Sequence, residues 1–208
     1  MSYDSAYRAF GRRYPNAGYG GTFYQWLFKA DPQPYNSWGN GSAMRVAPIG
    51  YAYETVDEVL REAERSAAVT HDHPEGIKGA QATALAVFLA RSGAPKETIR
   101  KELTERFGYD LRRTIGEMRP GYHFDVSCQG SVPEAIIAFL DSMDFEDALR
   151  QAISLGGDSD TQAAIAGGIA HAFYGSVPPG VAAKVRALLP EDLLRVVGDF
   201  AAAYPASR

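Results

Sequence analysis

The chain has 208 residues, a formal net charge of −4, and 46% hydrophobic and 22% charged residues. These values fit one globular domain, residues 1–208, and exclude a disordered or collagen-like chain. The slightly acidic balance argues against a dedicated nucleic-acid-binding protein, and no apolar run approaches the ~20 residues that span a membrane.

Two further features concern the compartment. The first residues, Met1 to Asp4, lack the basic and apolar regions of a signal peptide. Cys128 is the single cysteine, which excludes an internal disulfide and fits a reducing environment. The sequence therefore predicts a cytoplasmic protein that binds neither nucleic acid nor membrane.

The hydrophobic pattern is helical along most of the chain. Ala80, Thr83, Ala84, Val87 and Phe88 recur at the spacing of one helix face. The same spacing returns in the segments 136–140, 145–152 and 165–173. No segment alternates strictly between apolar and polar residues, as a half-buried strand would. We therefore expect an all-α domain of about eight to ten helices.

Several residues are of types that are favoured at the start of a helix. Thr55 stands three positions before Glu58, as in a capping box. Pro133 and Pro190 suit first-turn positions, with Glu134 and Glu191 near the positive end of each helix.

The first segment whose residues could bind a ligand is Asn36 to Arg45, which contains Trp38-Gly39-Asn40-Gly41. A glycine-rich turn that enters a helix can present backbone N–H groups to phosphate oxygens. A simple tight turn is the alternative, because Asn-Gly is a common turn dipeptide. Arg45 could pair either with a phosphate or with an acidic side chain of the protein.

The second segment, Thr70 to Gly79, places His71 and His73 close together. A zinc site would need further ligands, and neither His123 nor Cys128 is near enough in sequence to supply one. A helix start or a ligand contact is the better interpretation.

The third segment is Gly156-Gly157-Asp158-Ser159-Asp160-Thr161, followed by a helix rich in alanine and glycine. The two glycines end one helix, so Asp158, Asp160 and Thr161 crowd the start of the next. Two carboxylates and a hydroxyl are hard oxygen ligands, suited to Mg²⁺, Mn²⁺ or Ca²⁺. A helix cap is the alternative explanation. Because small residues follow, we expect this helix start to be buried centrally.

The order of these segments resembles that of the ADP-ribosylglycohydrolase family. The resemblance rests on Ser37 to Arg45, on Thr70-His71 with Glu75 to Ala80, on Val132 to Ala135, and on Gly156 to Thr161. It implies a compact, orthogonal, multi-helix fold with a dinuclear Mg²⁺ or Mn²⁺ centre in a cleft. It also implies hydrolysis of the bond between the anomeric carbon of ADP-ribose and a protein or small-molecule acceptor.

The resemblance assigns roles to individual residues. Asp158, Asp160 and Thr161 match metal ligands, and His71 matches a histidine that contacts the distal ribose. The ADP-ribose site matches Ser37, Trp38, Gly39, Asn40 and Gly41. No catalytic residue follows from the motifs.

The family's other metal ligands lie on a Thr-Asp-Asp-Thr segment near the amino terminus, which these 208 residues do not contain. We therefore expect an N-terminally truncated domain with a partial Mg²⁺ or Mn²⁺ site, completed by a separate segment or accompanied by homodimerisation. ADP-ribose or an ADP-ribosylated substrate is the expected partner. The alternatives are a module that binds ADP-ribose or a nucleotide without chemistry, and a structural or interaction protein.

Overall fold

The computed structural model describes residues 2–205, which form thirteen α-helices and no β-strand. The predicted all-α class is confirmed. The helices are α1 Tyr3–Arg13, α2 Gly21–Phe28, α3 Gly41–Met44, α4 Ala47–Ala52, α5 Val56–Ala68, α6 Pro74–Arg91, α7 Lys96–Phe107, α8 Ile115–Met118, α9 Cys128–Asp141, α10 Phe145–Leu155, α11 Ser159–Tyr174, α12 Pro179–Leu188 and α13 Glu191–Ala203. The count in this part of the chain exceeds our expectation because α3, α4 and α8 span only four to six residues, too few to show a periodicity.

Helix α6 is the central element. It contacts α3, α4, α5, α7, α9 and α11, and it buries residues on every side. A helix that is apolar all round belongs in a protein interior, and the small residues Gly79, Ala80 and Ala84 let its neighbours approach closely. Among residues 2–205, no helix is both long and apolar enough to cross a membrane.

Helices α9, α10 and α11 pack on one another and complete the core beside α6. Isolated helices of this length are marginal in water, so the shared apolar faces supply most of their stability. Helices α12 and α13 are peripheral and bury no residue fully.

The predicted helix starts are correct in part. The Thr55 hydroxyl accepts a hydrogen bond from the N–H of Glu58 at 3.3 Å, which confirms the start of α5. The expectation for Pro133 is wrong, since Pro133 lies inside α9, five residues after the first helical residue. Glu134 is consequently buried within α9, where Arg113 donates a hydrogen bond to it at 2.9 Å. Pro190 directly precedes α13, one position before the predicted first turn.

Candidate functional site at a turn between three helix starts

The segment 36–41, called the turn below, lies between two other loops and forms backbone hydrogen bonds with both. On one side, the N–H of Ser37 donates to the carbonyl of Thr70 at 3.4 Å. On the other, the N–H of Asn40 donates to the carbonyl of Val126 at 2.8 Å. The turn therefore has fixed partners on both sides, which is the preorganisation that a binding site needs.

Two glycines permit this close approach. A Cβ on Gly76, in the first turn of α6, would lie 2.5 Å from the carbonyl oxygen of Ser37. A Cβ on Gly41 would lie 3.2 Å from Nε2 of His71. Glycine at these positions brings the start of α6 and the imidazole of His71 against the turn.

His71 is buried and held from one side. The Thr70 hydroxyl lies 2.7 Å from its Nδ1, and Arg45 donates to the same hydroxyl at 2.8 Å. Burial, reinforced by the nearby Arg45 cation, lowers the pKa of His71 to about 3. The imidazole is therefore neutral at physiological pH, and its Nε2 edge faces the glycine turn.

Arg45 itself has no carboxylate partner within 4 Å among residues 2–205. Its guanidinium lies over the ring of Tyr7, 4.2 Å from the centroid, and donates to the Ser66 carbonyl at 3.1 Å. The predicted alternative of a structural salt bridge is thus not found in the described part of the chain. Arg45 links the turn to α5 through neutral partners and leaves a net positive charge behind the site.

Helix α11 begins where the sequence predicts. Gly156 and Gly157 adopt φ values of +84° and +72°, which end α10, and Asp158 is the N-cap residue of α11. The Asp158 side chain makes no capping hydrogen bond to its own helix. Its Oδ2 instead accepts a hydrogen bond from Nδ2 of Asn40 at 2.7 Å. A simple helix cap therefore does not explain this carboxylate.

Asn40 is buried, and its hydrogen bonds fix the orientation of its amide. Nδ2 donates to Asp158 and, at 3.1 Å, to the hydroxyl oxygen of Ser131. The Ser131 hydroxyl gives its one hydrogen to the carbonyl of Ser127 at 2.6 Å, so its oxygen must be the acceptor towards Asn40. All three N–H donors of Asn40 are engaged within the protein.

The two acidic residues at the start of α11 differ in environment. Burial raises the pKa of Asp158, although the hydrogen bond from Asn40 opposes that effect. The pKa of Asp160 is lowered, chiefly by its hydrogen bond with the Asp158 side chain and then by the backbone N–H of Thr161. Asp160 is exposed, Asp158 is half-buried and Thr161 is buried, so the expected burial is found for only part of this helix start. Within residues 2–205, no third His, Cys, Asp or Glu joins this pair to form a metal-binding cluster.

The amino-terminal ends of three long helices meet at the turn. Gly76 of α6 lies against Ser37, the N–H of Cys128 in α9 donates to the Trp38 carbonyl at 3.0 Å, and Asp158 of α11 receives the Asn40 amide. A helix start carries a partial positive charge of about half an elementary charge. The converging helices therefore give this surface a field that attracts anions, including phosphate groups.

The turn offers fewer backbone donors than its sequence suggests. The N–H of Gly39 donates to the Ser37 hydroxyl at 3.2 Å, and that of Asn40 to Val126. The contribution of the turn to anion binding thus depends more on the helix field than on a ring of free amides.

Exposed apolar side chains lie on the turn and beside the start of α11. Trp38 is 47% exposed and Phe124 is 65% exposed, and Met44 lies close enough to Thr161 for a 3.7 Å contact between sulfur and hydroxyl. Exposed aromatic faces next to polar groups suit stacking on a planar ring.

Sequence reasoning missed Tyr122 and Gln162. The Gln162 amide, four residues after Asp158, donates to the carbonyl of Gly156 at 3.0 Å and lies 2.5 Å from the Tyr122 hydroxyl, which is also 2.8 Å from the Gly130 carbonyl. No local sequence pattern indicates a role for Tyr122, because it contacts a segment that begins some thirty-five residues further along the chain.

Comparison with known proteins matches the chain to one family. A sequence profile of the ADP-ribosylglycohydrolase family matches residues 3–208. The human ADP-ribosylhydrolase ARH3 is 35% identical over an alignment that covers 67% of this chain and 51% of the human protein. The ADP-ribosylarginine hydrolase Tri1 of Pseudomonas putida is 30% identical, with 77% and 44% covered.

A solved structure of an "ADP-ribosylglycohydrolase-related protein complex" superimposes with a TM-score of 0.65 and 30% identity. The superposition covers 85% of this chain and 65% of that one. The chain spans about half the length of the curated relatives it matches. The match along nearly its whole sequence shows that the chain belongs to the ADP-ribosylglycohydrolase family.

Proposed function

We propose that this chain forms the ADP-ribose-binding part of a hydrolase that releases ADP-ribose from a modified protein or small-molecule acceptor. The observation that carries the proposal is the direct contact between the turn and the carboxylates, through the 2.7 Å hydrogen bond from Asn40 to Asp158. A ligand that lies along the turn would thereby place one end beside Asp158 and Asp160.

The residues of the turn suit the parts of ADP-ribose. The converging helix starts favour the diphosphate, and the exposed ring of Trp38 suits stacking on the adenine. The neutral His71 presents its Nε2 edge towards the turn, where it can form a hydrogen bond with a ribose hydroxyl. Ser37, Gly39 and Gly41 set the shape of the turn rather than supply charge.

Asp158, Asp160 and Thr161 would hold Mg²⁺ or Mn²⁺. The donor set fits, because two neighbouring carboxylates and a hydroxyl are hard oxygen ligands, and a divalent cation would relieve the repulsion between the two acids. When bound, such a cation lowers the pKa of water and stabilises developing negative charge. Three ligands are fewer than the six of an octahedral site, so these residues account for part of one.

Release of ADP-ribose tests the proposal. The chain would be incubated with arginine-linked and serine-linked ADP-ribosylated substrates, with Mg²⁺ or with a chelator, and free ADP-ribose would be measured. We expect Mg²⁺-dependent release that falls more than about 100-fold in D158N, since loss of a ligand costs more than loss of an outer partner. The matched control is D57N on the exposed start of α5, which should leave release unchanged. Release that is equal in D158N and in the unmodified chain would contradict the proposal.

A second candidate function is ADP-ribose binding without hydrolysis. It is favoured by the absence of a third acidic, histidine or cysteine ligand beside Asp158 and Asp160 within residues 2–205. Isothermal titration with ADP-ribose separates the two: micromolar binding without release supports a binding module, and no detectable heat excludes both functions.

A further inference from the structure

We propose that Asn40 is a positioning residue that couples the cation carboxylates to the ADP-ribose turn, so that occupancy of either site strengthens binding at the other. The inference rests on the proposed function, because it concerns the same two sites. It assigns to Asn40 a role beyond that of a ligand contact.

The hydrogen-bond inventory of Asn40 supports this role. Its main chain belongs to the turn, since its N–H donates to Val126 and its carbonyl accepts from the N–H groups of Ala43 and Met44 in α3. Its side chain belongs to the other site, since both amide hydrogens reach across to Asp158 and Ser131. A displacement of the turn must therefore move the donor that holds Asp158.

The hydrogen bond also restricts the orientation of the Asp158 carboxylate towards a cation. Asn40 occupies Oδ2 of Asp158 at 2.7 Å, and this bond from a buried amide to a carboxylate is of the stronger, charge-assisted kind. The Asn40 amide donates this hydrogen bond through its nitrogen, and the bond holds the Asp158 carboxylate in one orientation. Partners of this kind typically change metal affinity by about 10–100-fold when they are lost.

Helices α3 and α11 have a second link at the same place. The Thr161 hydroxyl contacts the sulfur of Met44, one turn after Asn40. The turn, α3 and the start of α11 thus form one contiguous set of contacts, and a physical connection of this kind can carry a coupling free energy between two sites.

Binding of Mn²⁺ alone, measured by the relaxation of water protons, is the first test. We expect N40A to weaken Mn²⁺ binding by about 10-fold or more. The control N16A makes the same change at an exposed residue away from the site and should leave Mn²⁺ affinity unchanged. S131A keeps the bond between Asn40 and Asp158, so it should weaken binding less than N40A does.

The second test measures the coupling between the two sites. If Asn40 had only a structural role, N40A would leave the effect of Mn²⁺ on ADP-ribose affinity unchanged. ADP-ribose affinity would be measured by calorimetry with and without Mn²⁺. In the unmodified chain we expect Mn²⁺ to tighten ADP-ribose binding by about fivefold or more, with the reciprocal effect of ADP-ribose on Mn²⁺. In N40A this factor should approach one.

Three results would overturn the inference. Mn²⁺ affinity of folded N40A equal to that of the unmodified chain would do so, as would an S131A effect as large as that of N40A. Coupling that persists in N40A would show that direct attraction between cation and diphosphate suffices. If N40A does not fold, N40L, which has about the same size as asparagine but neither a donor nor a charge, answers the same questions. Failure of the unmodified chain to bind Mn²⁺ would instead overturn the cation site of the proposed function, and this inference with it.

Discussion

The ring of Tyr122 lies against the backbone of Gly157, so closely that a Cβ on Gly157 would stand 2.7 Å from Cε1 of the tyrosine. Gly157 also has a φ of +72°, in the left-handed region that L side chains rarely adopt. Glycine is therefore required twice at this position, by conformation and by space. The contact fixes the turn that carries Asp158.

Substitution of Gly157 tests this requirement. We expect G157A to lower the free energy of unfolding by about 3 kcal/mol, since the left-handed strain is added to the displacement of Tyr122. G175A is the control: Gly175 has a φ of +75° but no neighbour within 4 Å of an added Cβ, so only the strain of about 1 kcal/mol applies. Urea denaturation gives both values, and equal losses would show that Tyr122 moves aside without cost.

Removal of the Tyr122 hydroxyl tests the other half of the contact. Y122F removes the hydroxyl that hydrogen-bonds with the fully buried Gln162 amide and with the Gly130 carbonyl, which should cost about 1–3 kcal/mol of unfolding free energy. The same change at the exposed Tyr24 should cost less than about 0.5 kcal/mol. Equal stabilities of Y122F and Y24F would mean that water replaces the hydroxyl.

The helix α11 and the glycines before it were predictable because their signals are local. Two consecutive glycines interrupt a helix, and an apolar periodicity resumes after Thr161. The all-α class followed from periodicity along the chain. The one-turn helices α3 and α8 were not predictable, because four residues carry no periodicity.

Long-range pairings were also beyond sequence reasoning. Asn40 and Asp158 are 118 positions apart, and their hydrogen bond depends on how α3, α6 and α11 pack. The prediction for Pro133 and Glu134 was wrong for a different, local reason. A proline is favoured at a helix start, but α9 begins earlier, where the Ser127 hydroxyl caps it by accepting from the N–H of Gly130 at 3.0 Å.

The low pKa of His71 predicts a dependence of stability on pH. In the folded chain the pKa is about 3, and in the unfolded chain it is near the ordinary value of 6.5. Between these values the unfolded state binds a proton that the folded state excludes. The contribution of His71 to the free energy of unfolding is therefore complete above pH 6.5. As the pH falls below 6.5, this contribution is lost at up to about 1.4 kcal/mol per pH unit.

Urea denaturation of the unmodified chain and of H71N between pH 7.5 and pH 4.5 measures this contribution. Asparagine does not titrate, so the unfolding free energy of H71N should fall less steeply below pH 6.5, whatever its stability at pH 7.5. Parallel curves for the two proteins would contradict the assignment of a buried neutral His71.

The thiol of Cys128 should be unreactive in the folded chain. Cys128 is fully buried, and its Sγ donates to the Gly39 carbonyl at 3.1 Å, directly behind the candidate ADP-ribose turn. Burial raises the pKa of the thiol to about 11, and a thiol alkylates through its thiolate. At pH 8 the folded chain should therefore remain unmodified by iodoacetamide over hours, while the chain in concentrated urea is alkylated within minutes. Intact-mass measurement distinguishes the two forms, and because Gly79 leaves no space beside Sγ, rapid alkylation without urea would show that α6 and α9 separate in solution.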